Sequence, residues 1–369
     1  MLAVAASAPH LRQNSVMLTL RALNRATLAR QLLLERAAIA PAKAMAQVAG
    51  MQAQVPKPPF IGLWSRLDGF EREALRKALA RGDVVRGTLM RGTLHLAAKK
   101  DFAPWRAALQ PVLTQGERTI TRGGDVDLEG TLAAARAFFA ERPRTFEEVR
   151  QHLVTRFPDT NDRLLGYTAR MHLPLVMVPD DSTWSFPPDS QFALTETAEA
   201  DLHGLALRYL GAFGPATPAD FQAWSGLRAM TTLFDTLRPK LQTFRDDRGR
   251  ELFDLPRSPR PDEETPAPVR FLPEYDNLVL AHADRTRIIA DEYRPRIVTK
   301  NLRVLATFLV DGFVAGTWSI ARKTKSATLT IAPFAKLTRA DRAALTDEGE
   351  RLLRFAESDA KTFAVGFAA

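Results

Sequence analysis

An α+β fold in several domains is what the sequence predicts, and three observations carry that prediction. Three times a cluster of helix-period segments gives way to a short β-rich stretch, the order of elements in a winged helix. A proline- and charge-rich run, Arg257 to Pro268, then interrupts the chain, and beyond it apolar β runs predominate. At 369 residues the chain is long enough for two to four domains, each with its own core. The expected division is an extension at 1–16, winged helices at 17–125, 126–200 and 201–256, a linker at 257–268 and a small antiparallel sheet or barrel at 269–369.

The extension, with Ala3 to Ala8 followed by His10, Arg12 and Asn14, lacks the charged start and sustained apolar run of a secretory signal and reads as disordered. Met17 offers an alternative start, because the periodic pattern begins after it. In the first unit, Leu28, Leu32 and Leu33 recur at helical spacing from Asn24, a candidate N-cap, to Arg36. Short helices follow at Pro41 to Val48 and Phe60 to Leu67, another covers Glu71 to Arg81, and Val84 to Ala98 is β-rich. Asp101 to Arg122 reads as a helix and Gly123-Gly124-Asp125 as a loop. The second unit opens on Thr145 and Glu148 at capping-box spacing, continues with a helix from Asn161 to Met171, and closes with a hairpin, Leu175–Pro179 against Ser182–Phe186. The third runs through a helix around Leu207–Leu210, a turn at Gly214-Pro215-Ala216, helices from Thr217 to Trp224 and on to Leu237, and a strand from Glu251 to Leu255. In the last domain Asp311-Gly312 joins two apolar runs as a hairpin turn, Ala327 to Ile331 is a further strand, and a helix from Arg339 to Ala356 closes the chain.

A formal net charge of +9, a pI near 10.0 and a preference for arginine make nucleic acid the natural partner, since a guanidinium grips phosphate in two places. Soluble proteins with no polyanion partner share such a pI, so charge alone does not decide. The absence of cysteine removes disulfides, thiolate nucleophiles and Cys-ligated metals, and fits a reducing cytoplasm. No stretch approaches the roughly eighteen apolar residues that span a bilayer. The expectation is a cytoplasmic, nucleoid-associated protein without a membrane segment.

The informative segment is Met51-Gln52-Ala53-Gln54-Val55-Pro56. Pro56 biases Val55 toward extended dihedrals, so the preceding helix ends by about Gly50. In an extended segment residues two apart point the same way, and Gln52 and Gln54 can then address one small molecule together. The alternative is a pair of solvated amides that cap local backbone groups. Nearby, Arg86, Arg91 and His95 are interleaved with Thr88, Met90, Thr93 and Leu94 on the first hairpin, where they can form a track for DNA phosphates or the ordinary polar face of a half-buried ribbon. Arg322, Lys323 and Lys325 form a second basic tip, exposed and suited to DNA. His152 and His172 lack metal-ligand spacing, and no P-loop, dinucleotide fingerprint or nucleophile elbow is present, so neither metal nor cofactor is expected. Glu274 and Asp276 are expected in an ion-pair network with arginines such as Arg285 and Arg287.

Met51-Gln-Ala-Gln54, Leu63-Trp-Ser-Arg-Leu67, Arg86 through His95, Gly214 through Gly226 and Phe271-Leu-Pro-Glu-Tyr-Asp276 resemble, in order, the motifs of the AlkZ/YcaQ-like DNA glycosylases. The resemblance runs from about residue 17 to the end. It implies three winged helices and a C-terminal β-barrel in a C shape around duplex DNA, with hydrolytic removal of alkylated bases, including those in interstrand crosslinks. Gln52, Ala53 and Gln54 match the family's active-site pattern in its glutamine version, which resembles the branch linked to self-resistance against alkylating natural products.

Base excision needs water at the anomeric carbon while positive charge grows on the sugar. An amide has no useful pKa, so Gln52 and Gln54 would orient water and favour the oxocarbenium by their dipoles. Such modest help calls for a good leaving group, a purine made cationic by N7 or N3 alkylation, and a crosslinked lesion favours an open cleft over full base flipping. The expected protein is a monomer on double-stranded DNA with alkylated purines. The alternatives are a winged-helix transcriptional regulator, marked by protection of one operator sequence, and an adaptor within a repair complex.

Overall fold

The computed structural model describes residues 16–368. Residues 1–15, most of the expected disordered extension, lie outside them. Strand β1 (Met17–Leu18) leads into helix α1 (Leu20–Arg30). The N-cap is Thr19, whose Oγ accepts from Ala22 N at 3.1 Å, and Asn24 is instead a fully buried residue inside the helix. Its Nδ2 donates to Arg287 O at 2.7 Å and Gly312 O at 2.8 Å, a better use of a short amide facing protein than a cap facing water.

Helices α2 (Pro41–Gln47), α3 (Pro58–Arg66) and α4 (Arg72–Ala80) follow, with strand β2 (Met51–Gln52) between the first two. The expected hairpin is β3 (Val84–Thr88) and β4 (Leu94–Ala98). The helix expected over 101–122 is two, α5 (Lys99–Ala108) and α6 (Gln110–Thr121). A further helix, α7 (Leu128–Glu141), capped by Asp127, lies between the expected loop at 123–125 and Thr145.

After β5 (Arg144–Thr145), the capping box of Thr145 and Glu148 starts α8 (Phe146–Arg156), and Asn161 caps α9 (Asp162–His172). The second hairpin is corrected: β6 (Leu175–Met177) pairs with β7 (Gln191–Leu194), and Ser182–Phe186 is loop. That loop is spent on packing, with Phe186 under Arg86 and Trp184 edge-on to Phe60. The first two units share one six-stranded sheet in the order β2-β4-β3-β6-β7-β5, since Arg86 and Gly87 pair with Met177 and Val176.

Helices α10 (Leu202–Phe213), α11 (Pro218–Ser225) and α12 (Thr231–Leu237) then precede the strand pair β8 (Gln242–Asp246) and β9 (Glu251–Asp254). Tyr209, Phe213, Phe221, Trp224 and Phe234 are fully buried together, and β1 adds a parallel strand to β8.

The C-terminal part contains β10 (Arg270–Leu272), α13 (Arg294–Ile297), β11 (Thr307–Val310), β12 (Phe313–Lys323), β13 (Ser326–Pro333), α14 (Arg339–Ala356) and β14 (Thr362–Phe367). Val314, Gly316 and Trp318 alternate inward with Ala327, Leu329 and Ile331 on the next strand. The sheet order β10-β11-β12-β13-β14 is open, so the expected barrel is corrected to an open sheet. Leu345, Leu352 and Leu353 of α14 cover its apolar face, the task that closure would otherwise perform.

Helix α1 joins these parts. Arg30 makes a two-pronged buried pair with Asp254 at 2.7 and 2.8 Å, and Gln31 donates to Ala212 O at 3.0 Å. On its other side Arg21 and Arg25 pair with Asp311 of the β11–β12 turn. The linker is pinned as well, Arg21 Nε donating to Glu263 O at 2.8 Å and Arg25 Nε to Thr265 O at 2.7 Å. No helix among the described residues is long and apolar enough to cross a membrane.

Candidate active site at the glutamine motif

A turn delivers the motif into the sheet. Ala49 and Gly50 both take positive φ, 59° and 77°, and a Cβ on Gly50 would meet Leu96 O at 2.8 Å, so the position requires glycine twice over. The chain then enters β2, antiparallel to β4, with Met51 opposite Leu96 and Gln52 opposite His95, and the pairing continues through Ala53 N to Leu94 O at 2.7 Å. Behind the turn Asn277 Nδ2 donates to Gly50 O at 2.6 Å, held there by Asp276, whose two oxygens take the Arg66 guanidinium at 2.8 and 2.9 Å. The ion-pair use expected of Glu274 and Asp276 is present, but the partners are Arg303 and Arg66 in place of Arg285 and Arg287.

Both amides are oriented by their carbonyl oxygens. Gln52 Oε1 accepts from Arg91 Nη2 at 2.9 Å, and Gln54 Oε1 accepts from Leu94 N at 3.3 Å. Arg91 and a backbone N–H are donors only, so these partners determine which way each amide faces. Neither amide nitrogen has a protein acceptor among the described residues. Gln52 is buried at 8% exposure and Gln54 is exposed, which sets the pair across the boundary between protein and solvent.

The first hairpin holds this arrangement. Arg91 adopts left-handed φ of 56° and donates its other terminal nitrogen to Trp224 O near the C-terminus of α11, where a cation is favoured. Burial, with Arg285 nearby, brings its pKa down to about 10, and it remains a cation at neutral pH. Arg86 and His95 are corrected from the expected phosphate track: they are 3% and 0% exposed, and a phosphate needs an accessible donor. Arg86 Nε and Nη2 donate to Ala53 O at 3.0 and 2.7 Å, gripping the motif's backbone from behind. His95 Nδ1 bonds Thr93 O at 2.9 Å, and burial together with Arg91 lowers its pKa to about 3, so the ring is neutral.

The second basic tip lies on the C-terminal sheet. Arg322, Lys323 and Lys325 are exposed at the turn between β12 and β13, and Arg322 pairs with Asp359 at 2.9 Å. An open cavity of about 380 Å³ adjoins the motif at Val55 and Lys57, lined on its far side by Pro273, Trp318 and Ile320.

A family model described as DNA glycosylase AlkZ-like matches residues 45–355, most of the chain and the whole glutamine motif with the side chains that hold it. The chain belongs to the AlkZ-like DNA glycosylase family. Among solved structures it is similar to the Streptomyces sahachiroi DNA glycosylase AlkZ, with a TM-score of 0.80 and 19% identity over 96% of this chain and 100% of that one. At that identity the likeness shows the fold. No curated protein matches. Membership makes this chain a DNA glycosylase and DNA its partner, and the glutamine motif falls within the matched residues. The sequence singled out Gln52 and Gln54 as a pair and Arg91 for a phosphate; the structure places Arg91 on Gln52, and Asn277 and the Trp224 carbonyl support the motif from distant segments, roles that no local spacing indicates.

Proposed function

We propose that this chain is a monofunctional glycosylase that hydrolyses the N-glycosidic bond of cationic N7- or N3-alkylated purines in duplex DNA, with Gln52 and Gln54 positioning the attacking water. One observation carries the reading: two amides two residues apart have their oxygens fixed by donor-only partners at the edge of solvent. Each carbonyl oxygen keeps a second lone pair that can accept from water, and each amide nitrogen is free to donate. In the reaction water adds to the anomeric carbon, the bond to the purine nitrogen breaks with its electron pair leaving on the base, and the added water loses a proton. An amide cannot take that proton at neutral pH, so it passes to solvent. The amides contribute position and dipole, which suits a base whose positive charge already weakens the bond.

The cavity at Val55 and Lys57 provides room for a substituent larger than methyl, which supports bulky adducts and crosslink unhooking as part of the range. Lys323 and Lys325, exposed on a hairpin tip, are proposed to contact the phosphate backbone, in a winged-helix architecture that holds DNA as a monomer. The test is excision from duplex DNA containing 7-methylguanine, read as alkali-labile sites. The native protein is expected to release the base, and Gln52→Ala/Gln54→Ala to bind with the same salt dependence but without release. Unchanged release in the double variant would remove the amides from the chemistry.

A further inference from the structure

Arg285 departs from the way this chain satisfies most of its other buried or half-buried cations. Arg86, Arg106 and Arg287 donate their terminal groups to backbone carbonyls, and Arg30 and Arg66 lie in two-pronged pairs with Asp254 and Asp276. Arg170, without a hydrogen bond or carboxylate among the described residues, rests instead on the faces of Phe146 and Phe192, and Arg285 has no such ring. Arg285 is half-buried, yet among the described residues its hydrogen bonding amounts to Nε on His282 O at 3.4 Å, and neither terminal nitrogen has an acceptor or a carboxylate. Of the acids on the same stretch, Asp284 is engaged with Arg248, Arg250 and Thr286 and Asp291 with Arg294, and the exposed Glu292 makes no salt bridge with Arg285 among the described residues. Its neighbours in charge are themselves cations. Arg294 adds to the burial that lowers the Arg285 pKa, and Arg285 in turn lowers that of Arg91.

Its place in the fold is equally specific. The 282–285 turn is tied to the third helical group, His282 Nε2 donating to Phe213 O at 3.0 Å and Ala283 N to Asp220 Oδ1 of α11 at 2.9 Å. The other end of α11, through Trp224 O, holds Arg91, whose remaining terminal nitrogen is on Gln52. One short helix therefore anchors both the unpartnered guanidinium and the arginine that orients the amide.

We infer that Arg285 binds a phosphodiester of the DNA beside the nucleotide addressed by Gln52, with Arg91 supplying the second positive charge; this rests on the glycosylase reading of the glutamine pair. A guanidinium kept against burial and against other guanidiniums, with its planar fork of donors open, matches an anionic oxygen pair brought from outside. The same phosphate offsets the charge that Arg91 places beside a cationic transition state.

The test is binding of full-length protein to undamaged duplex DNA by anisotropy over a salt series, with 7-methylguanine excision measured in parallel. Arg285→Ala is expected to make the plot of log K against log salt shallower by about 0.9, with Arg285→Lys restoring the native slope. Arg238→Ala, at an exposed arginine already paired with Glu251 and Asp235, is expected to leave it unchanged. Arg285→Gln, which keeps the length of the stem, replaces the alanine variant should that fail to fold. A native slope in both the alanine and glutamine variants, on a background of salt-dependent native binding, overturns the inference while leaving the role of the amides intact. Native protein that does not bind DNA overturns both. Salt-dependent binding without excision overturns the amide reading, and the slope then still decides whether Arg285 holds a phosphate.

Discussion

Replacing Arg86 by methionine separates a phosphate contact from a structural anchor. The guanidinium is 3% exposed, makes two bonds to Ala53 O, and lies 4.7 Å over the Phe186 ring. Burial first, and Arg170 second, lower its pKa to about 10, so keeping the charge there costs about 3 kcal/mol. Two charge-assisted bonds return about 3–6 kcal/mol. Methionine preserves the packing on Phe186 and removes the buried charge, leaving Ala53 O without its donor at a cost of about 1–3 kcal/mol. The variant is therefore expected to fold with a modestly lower melting temperature. Excision should suffer far more. With the backbone of Ala53 and Gln54 released, a displacement on the order of 1 Å lowers the single-turnover rate by roughly 100-fold. Affinity for undamaged duplex and its salt dependence should not change, because the group cannot reach a phosphate. The assay pairs single-turnover release of 7-methylguanine with anisotropy over a salt series. A salt slope shallower by about one, with excision at saturating enzyme preserved, would refute the reasoning.

Two more outcomes follow from the same site. Gly50→Ala, at φ 77° and with a Cβ 2.8 Å from Leu96 O, is expected to cost roughly 1–3 kcal/mol by denaturant unfolding and to reduce excision further than that loss explains, since Gln52 lies two residues on. His95 is held neutral by burial and by Arg91, its pKa falling from 6.5 to about 3, and burial shifts His282 in the same direction. The unfolded chain binds the extra protons between those values, so this stability is complete above about pH 6.5 and is lost as pH falls toward 3, at up to about 1.4 kcal/mol per pH unit for each ring. Melting temperature measured from neutral pH down to about 5 should fall, and His95→Gln should flatten the decline; a native curve that is level over that range contradicts the burial argument.

Most of the local structure was legible because it is written locally. The Thr145–Glu148 capping box, the Asp311-Gly312 turn and the helix from Arg339 to Ala356 each depend on neighbours within a few residues, and each is present. The motif could be found for the same reason, since Pro56 and Gly50 delimit an extended segment. What failed depends on partners far along the chain. Asn24 has the composition of a cap, but Gly312 and Arg287 claim its amide, and the aromatic run Ser182–Phe186 looks like a strand while its rings pack under Arg86 and against Phe60. Arg86 and His95 sit on the expected hairpin, but β2 and β6 flank it, turning a two-stranded ribbon into the interior of a sheet. Arg285 and Arg287 look alike in sequence, yet Arg287 donates to Pro215 O while the terminal nitrogens of Arg285 have no acceptor among the described residues, a difference that only the third dimension contains.

The paired arginines of α1 also decide what can be taken apart. A cut at 256, at the start of the linker, would remove the carbonyls of Glu263 and Thr265 that Arg21 and Arg25 reach, together with the Asp311 carboxylate. A cut at 200 would leave Arg30 without Asp254 and Met17 without the strand it lengthens. Units that succeed one another along the chain as separable modules are thus not separable as folding pieces. A fragment carrying the glutamine motif alone would expose uncompensated charge, so exchange of units between relatives would have to carry the matching partners of α1 with it.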